Sequence, residues 1–240
     1  MPALRWARRL LLFVLAGFLG LLAWGYARNH PEDVPWAPLD LTQPVGAFTR
    51  AKLARTHGTE CRALLRRAGI VFQALPPRSE GPQCGWSDAV RLEPAGAATI
   101  AWRPADLGTS CPVAAARALW EWHVVQPAAL REFGVRVRQI ETFGAYSCRR
   151  IYGRASGQWS EHARANAVDV AAFRLEDGRR ISVAADWRHK GTKGRFLHAI
   201  RDGACRLFST ALSPDYNAAH RDHLHLDEAS RGGVGWGVCH

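Results

Sequence analysis

Two short stretches of the chain concentrate the residues able to do chemistry. Residues 160–170 read SEHARANAVDV and set His162 and Asp169 seven positions apart in a run of small residues. Residues 220–227 read HRDHLHLD and hold three of the chain's ten histidines within six positions. If residues 165–173 form a strand, Ala167, Asp169 and Ala171 share one face while Val168 and Val170 pack on the other. A carboxylate then stands on a face lined with alanines, where another group has room, and His162 enters from the preceding loop. The same period of two puts His223 and His225 on one face and sends Leu224 to the core. Imidazoles and a carboxylate converging on one sheet face make an open zinc site, because three protein ligands leave a coordination position for water. Alone, either motif is more often a surface feature or a structural hydrogen-bonded pair. Together on neighbouring strands they point to a metal.

The elements that must position these residues read as follows. Residues 166–175, the dipeptide Asp177-Gly178 and residues 179–186 form two apolar-alternating runs around a tight turn, a β-hairpin. Val135, Val137, Ile140 and Phe143 alternate with one slip of register, which predicts a further strand. Residues 110–133 carry apolar residues near a 3.6-residue period, with Ser110 and Pro112 as start signals and Pro127 as a kink or break. Residues 195–208 read as a helix ending near Gly203, and Leu53 to Ile70 supply the contacts of a modest helix. Strands and helices without a regular βαβ rhythm imply an α+β fold, an antiparallel sheet with flanking helices.

Export follows from the N-terminus and the cysteines. Leu10 to Tyr26 is an uncharged apolar run of 17 residues preceded by Arg5, Arg8 and Arg9, which suits one transmembrane helix with its basic end in the cytoplasm. A cleaved signal peptide competes, but the run is long for a signal core, and only Gly25 to Ala27 offers a small-x-small cleavage pattern. Either way residues 30–240 cross the membrane, which argues against a nucleic-acid role for the net charge of +11. That charge suits an anionic partner such as lipid or an acidic wall polymer. Cys61, Cys84, Cys111, Cys148, Cys205 and Cys239 are even in number and widely spaced, without a CxxC pair. Three disulfides in an oxidising compartment are expected, with Cys61–Cys84 as a local loop. Residues 28–48 are proline-rich and read as a stalk or an extended arm.

With those blocks in view, a resemblance emerges. SEHARANAVDV resembles the S-x-H-x(6)-D signature of D-Ala-D-Ala metallopeptidases, and HRDHLHLD the H-x-x-H-x-H signature of penicillin-insensitive murein endopeptidases, relatives of the hedgehog signalling domain. CPVAAARALWEW, FGAYSCRRIYGR, SEHARANAVDVAAFRL, LSPDYNAAHRDHLHLD and the closing GWGVC together resemble the bacterial extensin-like C-terminal family over about residues 57–240. The chain has no Ser-Pro repeats, so a plant-type structural extensin is not implied.

The resemblance implies a zinc-peptidase type of fold in which His162, Asp169 and His225 ligate Zn2+. It places His223 beside the metal as general base or transition-state stabiliser, with His220 supporting it or the water. Asp222 stands three before His225, where D-Ala-D-Ala peptidases carry a catalytic glutamate one methylene longer, so Asp222 and His223 both stay candidates for the proton. Arg149, ahead of the metal segment, is the candidate cation for an oxyanion or a substrate carboxylate. Ser160 is expected to cap the turn before His162. Tyr216 and Asn217 line the cleft or build a turn on Ser213-Pro214-Asp215. Trp120, Trp122 and His123 read as core and surface, and His198 as structural. His30, His57, His189 and His240 carry no signal.

The expectation is thus a single-pass inner-membrane protein with residues 1–29 as cytoplasmic stub and anchor and 30–56 as stalk. Residues 57–108 form the first part of the extensin-like region, and 109–240 form a periplasmic zinc-peptidase-like domain. It would hydrolyse peptide or amide bonds in peptidoglycan, as endopeptidase or carboxypeptidase. The alternative is a non-catalytic wall-binding or structural domain that keeps a zinc site. Oligomeric state is not legible.

Overall fold

The computed structural model describes residues 2–231 and 237–240. Of the closing GWGVC block, Gly235 and Trp236 lie outside the described residues. Helix α1 (Pro2–Asn29) contains a candidate span, Leu4–Asn29, of 26 residues, whose apolar 18-residue stretch has mean hydropathy 2.1 and no burial against the rest of the chain. At 1.5 Å per residue that is about 39 Å, more than the roughly 30 Å hydrocarbon core of a bilayer. By length and composition it suits a membrane span or a signal sequence.

The proline-rich segment that follows lies along the domain as an arm, with Val34 and Leu41 buried. Where one helix is expected the chain makes two, α2 (Thr49–Leu53) and α3 (Gly58–Arg67), and Ile70 opens strand β1 (Ile70–Ala74), paired with β4 (Val90–Gly96). Between them β2 (Arg78–Ser79) and β3 (Gly85–Trp86) form a small hairpin. Leu64, Leu65, Ile70, Val90 and Trp102 share one buried cluster with residues from the rest of the domain, so residues 57–108 contribute to the same core.

The main sheet runs β11-β9-β10-β7-β6-β5, with β8 also on β7. Its strands are β5 (Ala101–Arg103), β6 (Val137–Gly144), β7 (Ala167–Leu175), β8 (Arg180–Ser182), β9 (Thr210–Leu212), β10 (Leu224–Asp227) and β11 (Val238–Cys239). The centre is antiparallel, but the edge pairs β5–β6 and β11–β9 are parallel, so the sheet is mixed. The hairpin at Asp177-Gly178 is present as β7–β8, cut short because residues 183–186 turn into helix α6 (Val183–Asp186).

The long helix expected from residue 110 onward is α4 (Cys111–Trp120), a π-helical turn over Glu121–Val125, and α5 (Gln126–Phe133). Pro127 lacks an N–H and its ring crowds the carbonyl four residues back, and the π turn absorbs that conflict where a kink or break was expected. Trp120 is fully buried, packs edge-on against Phe173 and Phe208, and donates to the Ile200 carbonyl at 2.9 Å. Helix α7 (Thr192–Ala204) packs so closely on the π turn that a Cβ at Gly203 would clash with the Val124 side chain.

Three irregularities in the β6–β7 pairing shape the sheet that carries the candidate site. Thr142 pairs with Val170 and Glu141 with Ala172, leaving Ala171 as an extra residue on β7. The core face of β7 therefore changes parity, from Val168 and Val170 to Phe173 and Leu175. The slip read between Val137 and Ile140 is likewise a bulge, at Arg138. A third irregularity leaves Phe143 extra on β6, so the expected alternation has more than the one slip read from the sequence, and Phe143 is 63% exposed.

The disulfides are Cys61–Cys111, Cys84–Cys148 and Cys205–Cys239. The expected Cys61–Cys84 loop is incorrect. Cys61 is on the buried face of α3, which packs on the start of α4, whereas the β2–β3 hairpin carries Cys84 to the loop after β6.

Candidate metal centre

Strands β7 and β10 bring the two motifs together by register alone. His225 pairs directly with Asp169, with Leu226 opposite Val168 and Leu224 opposite Val170. Directly opposed residues on one face have Cβ atoms about 5 Å apart, so the imidazole and carboxylate meet without strain. His162 arrives on a 3-10 turn, Glu161–Arg164. Ser160 caps that turn, its Oγ accepting from the His162 N–H at 3.3 Å, as expected. Ala165 then adopts φ 53°, a left-handed conformation that costs a non-glycine residue about 1 kcal/mol, and turns the chain into β7.

The donor atoms form a tight triangle. His162 Nε2 lies 3.2 Å from His225 Nδ1 and 3.2 Å from Asp169 Oδ2, and His225 Nδ1 lies 3.0 Å from Asp169 Oδ1. Ligands about 2.1 Å from one tetrahedral ion are spaced by roughly 3.4 Å, close to these edges. Fit is tested by the other ring nitrogens. His162 Nδ1 donates to the Ala145 carbonyl at 3.0 Å, and His225 Nε2 donates to Asp227 Oδ2 at 2.9 Å. Both outer partners accept only, so in the neutral rings the protons lie outside and two bare lone pairs point inward at a carboxylate. Three acceptors facing one another need a cation between them, a metal or an added proton.

The electrostatics agree with that geometry. Burial alone would raise the Asp169 carboxyl, but when an added proton is the cation in the triangle, hydrogen bonds from His162 and His225 hold it well below the usual carboxylate range. Burial would lower His225, yet Asp169 and Asp227 push it up to about 9. In His220 burial dominates, reinforced by the neighbouring His225 and His223, and its value falls to about 4.

The triangle opens into a cleft of about 910 Å³ whose wall includes Arg149, Tyr152, Tyr216, His220 and His223. His223 is outside the group whose ligand atoms all lie within 4.8 Å of one another. Its Nδ1 donates to Asp222 Oδ1 at 2.9 Å, its Nε2 is 3.5 Å from Asp169 Oδ1, and Phe143 meets its ring edge-on. Tyr216 lines the cleft, whereas Asn217 builds the turn before His220, its Oδ1 capping the Ala219 N–H. His198 finds its partner in the Trp187 carbonyl at 3.1 Å and stacks on that indole, away from the cleft. A second His/Asp/Glu grouping, His30 with Glu32 and Asp33, lies in the arm, where Asp33 accepts from the Ala47 N–H.

Sequence reasoning missed three contributors. Asp227 shares the face of His225 by the period of two and was legible in HLHLD. The Ala145 carbonyl had no signature, being backbone. Asn166 ties the His162 turn to the end of β10: it donates to Glu161 Oε2 at 2.7 Å and to the Glu228 carbonyl at 2.9 Å, and accepts from Ser110 Oγ at 2.7 Å.

Glu228 itself is 2% exposed, with Ser209 Oγ donating to one carboxylate oxygen at 3.1 Å. Burial pushes its carboxyl well above the ordinary range despite that hydrogen bond. The unfolded chain ionises this group first, so stability falls as pH rises from the ordinary glutamate value toward the raised one. Glu228→Gln is expected to flatten that decline: in melts from pH 5 to 8 the variant gains on wild type as pH rises. A constant difference would mean that Glu228 is ionised in the fold.

The family described as Extensin-like protein C-terminus matches residues 59–240. No curated protein and no solved structure matches the chain.

Proposed function

The chain belongs to the extensin-like C-terminal family, and from that premise we propose that it is a zinc-dependent hydrolase of peptide or amide bonds in peptidoglycan. One observation carries the reading: two imidazoles with inward lone pairs and one carboxylate converge within 3.2 Å at the wall of an open cleft. His162, Asp169 and His225 would hold the ion. Bound there, zinc supplies Lewis acidity, polarising a carbonyl and making water nucleophilic at neutral pH.

The remaining chemistry belongs to the chain's own side chains. His223, outside the donor triangle and braced by Asp222, holds or releases a proton at Nε2. That pairing gives the aspartate an orienting part in place of the direct one open to a longer glutamate. Arg149 lines the same cleft and orients a substrate carboxylate or an oxyanion. The α1 span and three disulfides support a domain on the outer side of the inner membrane. A wall polymer rich in carboxylates suits the net charge of +11.

The test is incubation of the zinc-loaded full chain, in detergent, with purified peptidoglycan, followed by separation of muropeptides. New products that disappear with a chelator and return with zinc are expected. A folded chain with one zinc and no products would turn the reading to a wall-binding domain. In the same preparation Asp227→Asn is expected to weaken zinc binding about 10- to 100-fold, because the tautomer of His225 loses its charged anchor. Unchanged affinity in a zinc titration would mean that Asp227 has no part in orienting the ligand.

A further inference from the structure

His220 is 8% exposed, lines the cleft, and has its ring centre 5.2 Å from that of His223 and 5.8 Å from that of His225. Its Nδ1 sits 2.8 Å from Asn217 Oδ1. The orientation of that carboxamide is fixed independently. The Ala219 backbone N–H, a donor without ambiguity, points at the same Oδ1 at 3.0 Å. On the other side Asn217 Nδ2 donates to Tyr152 Oη at 2.9 Å. With oxygen facing His220, the imidazole must donate from Nδ1, and Nε2 keeps its lone pair. That nitrogen has no hydrogen-bond partner among the described residues. The tautomer is the less favoured one for a free imidazole, so the chain is holding it in place.

Tyr152 strengthens the case. It adopts φ 57° and ψ 22°, a left-handed conformation unusual for an aromatic residue, at the mouth of the cleft. Strained residues at such places persist when the surroundings hold them, and here the held group is the phenol that receives Asn217.

We propose that Asn217, braced by Tyr152, is a positioning residue that locks His220 in the Nδ1–H tautomer and presents its bare Nε2 to the cleft as a hydrogen-bond acceptor. Division of labour between the two free histidines follows: His223 carries the proton, and His220 accepts a hydrogen bond from water or substrate. This rests on the hydrolase reading for its purpose, though not for its geometry.

The experiment uses the full chain in detergent micelles, labelled with ¹⁵N-histidine, with and without zinc. Two-bond proton–nitrogen spectra report which ring nitrogen carries hydrogen, and His220→Gln assigns the signal. Wild type is expected to show Nδ1–H for His220. Asn217→Ala should shift the population toward Nε2–H, and Asn217→Asp should restore Nδ1–H because a carboxylate also accepts from it. Tyr152→Phe, which deletes one partly exposed hydroxyl, is the milder probe and should raise the Nε2–H fraction without disturbing the fold.

In muropeptide release, Asn217→Ala should lower kcat about 10- to 100-fold, leaving KM and zinc content as in wild type. An Nε2–H tautomer in wild type, or populations indifferent to both Asn217→Ala and Tyr152→Phe, would overturn the proposal. If wild type releases no muropeptides while the tautomer still follows Asn217, the hydrolase reading has failed and the positioning pair stands.

Discussion

Replacing His162 with alanine is expected to strip the chain of zinc, from about one equivalent to none measurable after dialysis. His162 supplies one corner of the donor triangle, and its loss leaves an imidazole and a carboxylate facing each other across 3.0 Å. That pair needs only a proton to be satisfied, so the incentive to hold a metal falls with the ligand. Loss of a group that only hydrogen-bonds a ligand already weakens metal sites by about 10- to 100-fold, and removal of a ligand should exceed that range. The residue is 3% exposed, and its Nδ1 anchors the turn to Ala145, so folding must be checked in the same sample. Circular dichroism and intact disulfides serve for that. A folded His162→Ala chain that keeps one zinc would show that the ion is bound elsewhere.

The central part of this site was legible because a strand has an exact side-chain period. Alternation in residues 167–170 and 223–227 places Asp169 and His225 on one face and the valines and leucines on the other, and the paired register carries this out residue for residue. What alternation cannot report is where it stops. The extra residues at Ala171 and Phe143 arise from how β6 and β7 fit around the long helix, and they change which residues reach the core. Phe143 is the clearest case: grouped with Val135, Val137 and Ile140 as an apolar residue of the strand, it is the extra residue of an irregular pairing and meets the His223 ring edge-on.

Disulfide pairing was hidden for a related reason. Cys61 and Cys84 are near in sequence, but burial of one helix face sends Cys61 to the start of α4, 50 residues on. The Cys84–Cys148 bond joins the β2–β3 hairpin to the segment bearing Arg149, a contact 64 residues apart that no local pattern encodes. Likewise the tautomer of His162 depends on a backbone carbonyl, and that of His220 on a carboxamide three residues earlier, which sequence inspection assigned equally to a turn or a cleft wall. Side chains set by periodicity were readable; partners set by tertiary approach were not.

The sharpest separation of roles comes from His223→Ala, which is expected to keep its zinc while muropeptide release falls about 100- to 10,000-fold, the usual contribution of a positioned acid or base. His223 lies two residues before His225, yet its position differs in kind. Its Nδ1 proton is committed to Asp222, leaving Nε2 at 3.5 Å from Asp169 Oδ1, outside the triangle but within reach of a group bound there. An imidazole so placed can pass a proton at Nε2 while Asp222 holds its ring. Asp222→Asn keeps a hydrogen-bond acceptor for that ring and removes the carboxylate, so it should cost about tenfold, far less than loss of the imidazole. If instead Asp222→Asn abolishes turnover and His223→Ala retains it, the aspartate handles the proton directly, as a glutamate would. If His223→Ala loses zinc as fully as His162→Ala, the imidazole is a ligand and the triangle has been drawn through the wrong corner.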